Sequence, residues 1–203
     1  MKVLLVNGSP NQKGNTRMAL EEVAKALNED GIDTEILDLG KKPVPGCIAC
    51  GKCSETGVCV FDQGIYTEIR KRLEEGVDGF VFGSPTYYAG PNGSLCSLMD
   101  RLFYSLNRYF QNRPAAAVGI CRRAGAVQVV ERLNKYFEIT NMPVVTSQYW
   151  NLAFGRTPGE VARDDEGMQT MRTLGHNMAW MLKSLAGHPA PEREEHAWTH
   201  FIR

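Results

Sequence analysis

Five times along the chain an apolar, strand-like run gives way to a helical pattern, and this alternation limits the fold more than any other feature. The apolar runs are 3–6, 34–39, 79–82, 115–120 and a shorter one at 143–147. Between and after them, apolar residues recur at helical spacing. Met18, Leu20, Val23, Ala24 and Leu27 mark a helix over about 16–29. Ile65, Ile69 and Leu73 mark a second, and Leu95, Leu98, Met99, Leu102 and Phe103 a third. Val129, Leu133, Tyr136 and Phe137 mark a fourth, and the run from Met168 to Leu185 a last one. Strands buried on both faces and separated by amphipathic helices predict an α/β domain with a parallel sheet covered on both sides. Ligands in such sheets bind beyond the carboxyl ends of the strands. Three loops leave those ends, at 8–16, 83–93 and 121–125, and all three have the composition of binding loops.

The first of these is the most informative. The run Val3-Leu4-Leu5-Val6 breaks into Asn7-Gly8-Ser9-Pro10-Asn11-Gln12-Lys13-Gly14, with Asn15 and Thr16 where helix caps belong. A strand, a small polar loop and a helix start together make an anion site. The pattern G-x-x-x-x-G-K-[ST] fails because Asn15 follows Gly14, and G-x-G-x-x-G fails because Gly8 has no partner two residues on. What remains, with Ser9, Asn11, Asn15 and Thr16 as donors, suits a single terminal phosphate such as that of FMN. An ordinary, well-capped βα loop is the other reading. In the second loop, Pro85, Thr86, Tyr87 and Tyr88 offer aromatic faces and backbone polar groups to a flat ring, or else cap the sheet. In the third, Arg122 and Arg123 place cations that could meet a reduced flavin or the phosphates of a nicotinamide cofactor, or simply line a solvated rim.

Residues 40–63 show no periodicity and interrupt the alternation. They hold four of the six cysteines, Cys47, Cys50, Cys53 and Cys59. Cysteines this clustered read as a metal site rather than a disulfide framework. Three thiolates spaced two residues apart, plus a fourth a short loop away, can enclose a [4Fe-4S] cubane. Structural zinc and metal-free thiols are the alternatives. Lys and Arg total 23 and so do Asp and Glu, which gives no electrostatic case for nucleic acid or an anionic membrane surface. No apolar run approaches the roughly 20 residues of a membrane helix. The run after Met1-Lys2 reads as a first strand rather than a signal peptide, so the cytoplasm is the default expectation. His196 and His200 are spaced i, i+4, but in a polar tail that reads as solvated.

These residues together resemble a known family. Gly8-Ser9-Pro10 through Asn15-Thr16, the cysteine cluster, Ser84-Pro85-Thr86-Tyr87, Asp100-Arg101 and Arg123-Ala124-Gly125 are similar to the iron–sulfur flavoproteins, within the NADPH-dependent FMN reductase branch of the flavodoxin-like fold. Cys96 stands where such proteins often carry Lys. The resemblance implies a three-layer sandwich with a five-stranded parallel sheet of order 2-1-3-4-5. Residues 1–186 would form the FMN-binding domain, with the Cys-rich insertion at about 40–63, and 187–203 a C-terminal tail. It implies bound FMN held by Ser9, Asn11, Asn15, Thr16, Pro85, Thr86, Tyr87, Tyr88 and Arg123. It further implies a [4Fe-4S] cluster on the four cysteines and a homodimer or homotetramer. The expected function is that of an FMN-dependent oxidoreductase passing electrons between FMN and the cluster. An NAD(P)H-dependent FMN or quinone reductase without a working cluster is the alternative. Either way the partners are small-molecule or redox-protein electron donors and acceptors, with NAD(P)H as a transient donor. No side chain is assigned a catalytic acid–base role, because the cofactor carries the redox chemistry.

Overall fold

A computed structural model describes residues 1–192, 194–195 and 197–202. His196, half of the i, i+4 histidine pair, lies outside the described residues. The sheet is built from β1 (Lys2–Asn7), β2 (Asp33–Asp38), β3 (Gly79–Tyr87), β5 (Ala115–Cys121) and β6 (Leu152–Phe154), with a two-residue β4 (Gly90–Pro91) folded back antiparallel onto β3. Its order is β2-β1-β3-β5-β6, with every main pairing parallel. Leaving the β4 hairpin aside, this is the expected 2-1-3-4-5 arrangement.

Side chains alternate across the strands, so each face has its own core. On one face Val3, Leu5, Val81, Ala116 and Val118 pack against α1 (Asn15–Glu29) and α6 (Asp165–Leu185), in an aliphatic and Met-rich layer. On the other, Leu4, Val6, Phe80 and Phe82 pack against α3 (Ile65–Glu75), α4 (Gly93–Ser105) and α5 (Ala126–Ile139). That second core is aromatic, with Phe103 stacked on Phe110 at 4.4 Å between centroids and Phe82 5.7 Å from Phe137. The three tryptophans take no part in either core, and Trp150, Trp180 and Trp198 are 58%, 68% and 79% exposed.

The fifth strand differs from expectation. Segment 143–147 makes only one bridge, between Val144 and Ala115, and the edge strand proper is β6. Pro143 has no N–H to give to the ladder. Ser147 Oγ bonds Tyr149 O at 2.7 Å, which diverts the chain into a local turn. The chain regains the sheet only after Asn151, whose carbonyl accepts from Gly119 N at 3.0 Å. Helix α6 ends at Leu185, and the described residues beyond it are exposed.

Candidate functional site

The loop after β1 is fixed by a chain of side-chain bonds before any ligand is considered. Asn7 Oδ1 accepts from Ser9 N at 3.1 Å, Asn7 Nδ2 donates to Asp38 Oδ1 at 2.8 Å, and Arg17 Nη1 bridges to Asp38 Oδ2 at 2.9 Å. Ser9 Oγ accepts from Asn11 N at 3.2 Å, which leaves its own hydrogen available to donate. Asn15 and Thr16 are the first residues of α1 rather than its caps. The cap is Gly14, no side chain satisfies the helix start, and its first turn carries no acid. The positive end of the α1 dipole therefore faces the loop without a local counter-charge. The side chain of Asn15 is spent on a distant loop. Nδ2 donates to Thr157 O at 2.9 Å, and Oδ1 accepts from Gly159 N and Val161 N at 3.0 and 3.2 Å.

Beside this loop, β3 runs out through Pro85 and Thr86 into the hairpin. Asn92 ties the two loops together: its Nδ2 donates to Gly8 O at 2.7 Å, and its Oδ1 caps α4 by accepting from Ser94 N. A cleft of about 240 Å³ lies between them, lined by Ser9, Asn11, Asn15, Thr16, Pro85, Thr86 and Tyr87. Thr86 Oγ1 is buried there without a hydrogen-bond partner. Of the remaining expected residues, Tyr88 sits at the hairpin tip with φ 57° and full exposure, and it does not line the cleft. Arg123 does not line it either; its neighbour Arg122 does. Arg122 also borders an open depression of about 420 Å³ with Arg156 and Arg163. Gly125 packs close against Thr86: its φ is 93°, and an added Cβ would come within 2.9 Å of Thr86 Cγ2. Cys121 also lines the cleft, and burial pushes its thiol pKa up, so it stays protonated at neutral pH.

The cysteine insertion folds into a second, separate site. Ala49 and Gly51 take left-handed backbone angles, φ 52° and 71°, and so turn the chain between Cys47, Cys50 and Cys53. A short helix, α2 (Lys52–Thr56), then leads to Cys59. All four cysteines line one cavity of about 30 Å³ against α4. Cys47 and Cys50 are exposed, and Cys53 and Cys59 half-buried, all as free thiols. Among the described residues no three His, Cys, Asp or Glu side chains converge closely enough to hold a single ion. A cubane holds its thiolates at separate corners, wider apart than the ligands of one tetrahedral ion. From α4, Arg101 and Ser105 complete the cavity. Residue spacing gave no sign of this: Arg101 stands inside the apolar stripe Leu98-Met99-Leu102-Phe103, and Tyr66, which anchors Cys59, is one helical aromatic among several.

Residues 1–157 match the NADPH-dependent FMN reductase family. The chain is 36% identical over 192 residues to an iron–sulfur flavoprotein of Methanocaldococcus jannaschii, covering 90% of this chain and 98% of that one. It is 27% identical over 191 residues to an iron–sulfur flavoprotein of Archaeoglobus fulgidus, covering 91% and 81%. Among solved structures, a flavodoxin from the Archaea superposes with a TM-score of 0.60 at 18% identity, over 90% of this chain and 99% of that one.

Proposed function

Because the chain belongs to the NADPH-dependent FMN reductase family and is related within it to the iron–sulfur flavoproteins, we propose that it is an electron-transfer flavoprotein. It would pass electrons between FMN and a four-iron cluster. One observation carries the reading: a polar cleft beyond the ends of β1 and β3 and a four-cysteine cavity occupy separate places in the fold, and α4 links them. The hairpin beside the cleft leads directly into Gly93 at the start of α4. Arg101, which walls the cysteine cavity, lies eight residues further along that helix, about 12 Å at 1.5 Å per residue.

FMN, when bound, supplies one- and two-electron chemistry, and the cluster supplies one-electron chemistry. The chain's own residues do the holding. We assign Ser9 Oγ–H, Asn11, Thr16 and the open start of α1 to the terminal phosphate. Asn15 acts there through the 157–161 loop that it fastens. Pro85, Thr86 and Tyr87 are assigned to the ring, with the unpartnered Thr86 Oγ1 supplying a hydrogen bond to its polar rim. Tyr88 and Arg123 would reach the ring only by closing over the cleft. Cys47, Cys50, Cys53 and Cys59 are assigned to the cluster.

The test is an anaerobic purification with iron, sulfide, zinc and FMN assays on one sample. The expected result is flavin absorbance with about four iron and four sulfide per chain. Zinc in place of iron, or no iron after reconstitution with iron(II) and sulfide, overturns the cluster reading.

A second reading, NAD(P)H-dependent reduction of FMN or a quinone without the cluster, is favoured by one feature. The depression bordered by Arg122, Arg156 and Arg163 shares Arg122 and Arg156 with the cleft; its two acids, Glu160 and Asp164, accept from backbone N–H groups, which leaves the three cations to meet the phosphates of a dinucleotide. Sustained NADPH oxidation by iron-free protein with a quinone acceptor would select it.

A further inference from the structure

Arg101 heads the large side chains withdrawn from solvent and is 2% exposed. Its guanidinium donates from Nε to Cys59 Sγ at 3.4 Å, from Nη1 to Pro45 O at 3.2 Å, and from Nη2 to Phe61 O. Its Cζ lies 4.8 Å from the centroid of Tyr66 and 5.6 Å from that of Phe61. Two of the acceptors are neutral carbonyls and the rings carry no charge. The acid next to it in sequence and the acid next to its acceptor Phe61 are committed elsewhere. Asp100 accepts from Tyr136 Oη at 2.5 Å, and Asp62 pairs with Arg70 at 2.9 Å. No carboxylate among the described residues forms an ion pair with Arg101. A buried cation left in that state is costly, and proteins keep such groups where a charge of opposite sign completes them. The one acceptor able to become an anion is Cys59 Sγ, and Arg101 lines the cavity shared by all four cysteines.

We propose that Arg101 is the internal counter-cation of the cysteine site. It is a positioning residue that offsets the charge of four thiolates and raises the reduction potential of the iron–sulfur group they hold. This rests on the cluster reading above. Hydrogen bonds to the sulfurs and net charge are among the features that set the potential of such a group. A fixed positive charge and an N–H bond to sulfur both favour the more negative, reduced state. Arg101 also fastens the insertion to α4 through Pro45 O and Phe61 O, so the donor and the ligand it serves are held by the same side chain.

The experiment uses the full chain and its Arg101→Gln, Arg101→Met and Arg101→Lys variants, each loaded anaerobically with iron(II) and sulfide. Iron and sulfide are assayed, and the site is titrated with dithionite and followed by electron paramagnetic resonance. In the two neutral variants the one-electron reduction equilibrium becomes at least tenfold less favourable, about 59 mV more negative. Arg101→Lys recovers most of that shift, and the flavin potential stays fixed as an internal control. A purely structural role would lower the stability of all three variants and leave the potential in place. An unchanged potential in a fully loaded neutral variant therefore overturns the inference while the cluster reading stands. A wild-type chain that takes up no iron or sulfide removes both. Should the neutral variants not fold, wild-type protein labelled with 15N-arginine decides the matter. Its reduced site must show a hyperfine coupling to an arginine nitrogen, and absence of that coupling overturns the proposal.

Discussion

Tyr66 fixes the position of Cys59 with one hydroxyl. Cys59 N donates to it at 3.0 Å, and it lies 2.6 Å from Ser105 Oγ, which in turn donates to Arg101 O at 2.6 Å. A serine has a single hydrogen, so Tyr66 must be the donor in the middle bond. Burial pushes the Tyr66 pKa up, which keeps that proton in place across the working range of pH. Tyr66→Phe strands the Cys59 N–H and one Ser105 lone pair, and should cost about 1–3 kcal/mol in denaturant unfolding. Iron uptake on reconstitution should fall with it. Asn15 offers a second test. Asn15→Ala removes three bonds to residues 157–161 and should cost about 1–3 kcal/mol. It should also strip hydrogen-exchange protection from Gly159 and Val161. The sequence announces Asn15 as a polar residue at a helix start, and that much is sound. Its partners lie more than 140 residues away, and local pattern carries no information about them. Arg101 is hidden for a related reason. Periodicity marks the stripe it sits in as core, and nothing local says that a cation is buried there.

At the scale of elements, apolar period decides most of the outcome. The five helices expected from 3.6-residue spacing all form, because each has one broad face to bury. The segment at 143–147 shows where period fails: a short apolar run beginning with proline is as compatible with an edge turn as with a strand. The opposite edge is held differently. Glu35 on β2 accepts from Lys2 Nζ and Arg72 Nε, both at 2.7 Å. Burial raises its pKa, but the bonds from Lys2 and Arg72 outweigh that and hold the carboxyl below its ordinary value of 4.5. A depressed pKa means that the unfolded chain binds the proton more readily. The stabilisation is therefore present above about pH 4.5 and is lost as pH falls through the folded value. Glu35→Gln should lower stability near pH 7 by about 1 kcal/mol. The same variant should show a shallower loss of stability on acidification, read from denaturant midpoints at pH 7 and pH 3.

For the molecule as a whole, the two cores and the parallel sheet account for the fold without the tail. Trp198, Phe201 and Ile202 are 79%, 93% and 95% exposed. Removing residues 187–203 should therefore change the stability of the domain by less than about 0.5 kcal/mol. If these apolar side chains seal a contact between copies, the truncated chain will elute at a smaller mass in sizing chromatography. An unchanged mass rejects that role. The fold was legible at this scale because five alternations admit few topologies. The insertion was legible only as chemistry, through its cysteines, since it has no period of its own.

The placement of the tryptophans decides which spectroscopic probes can follow this protein. All three indoles are largely exposed in the single folded chain, so their emission has little room to change when it unfolds. The asymmetric aromatic environment lies elsewhere, in the rings around Phe82, Phe103, Phe110 and Phe137. Near-ultraviolet dichroism should collapse at the true midpoint, while a melt followed by tryptophan emission should look nearly flat. A broad or early transition in that emission would report the mobility of the surface rather than loss of the fold.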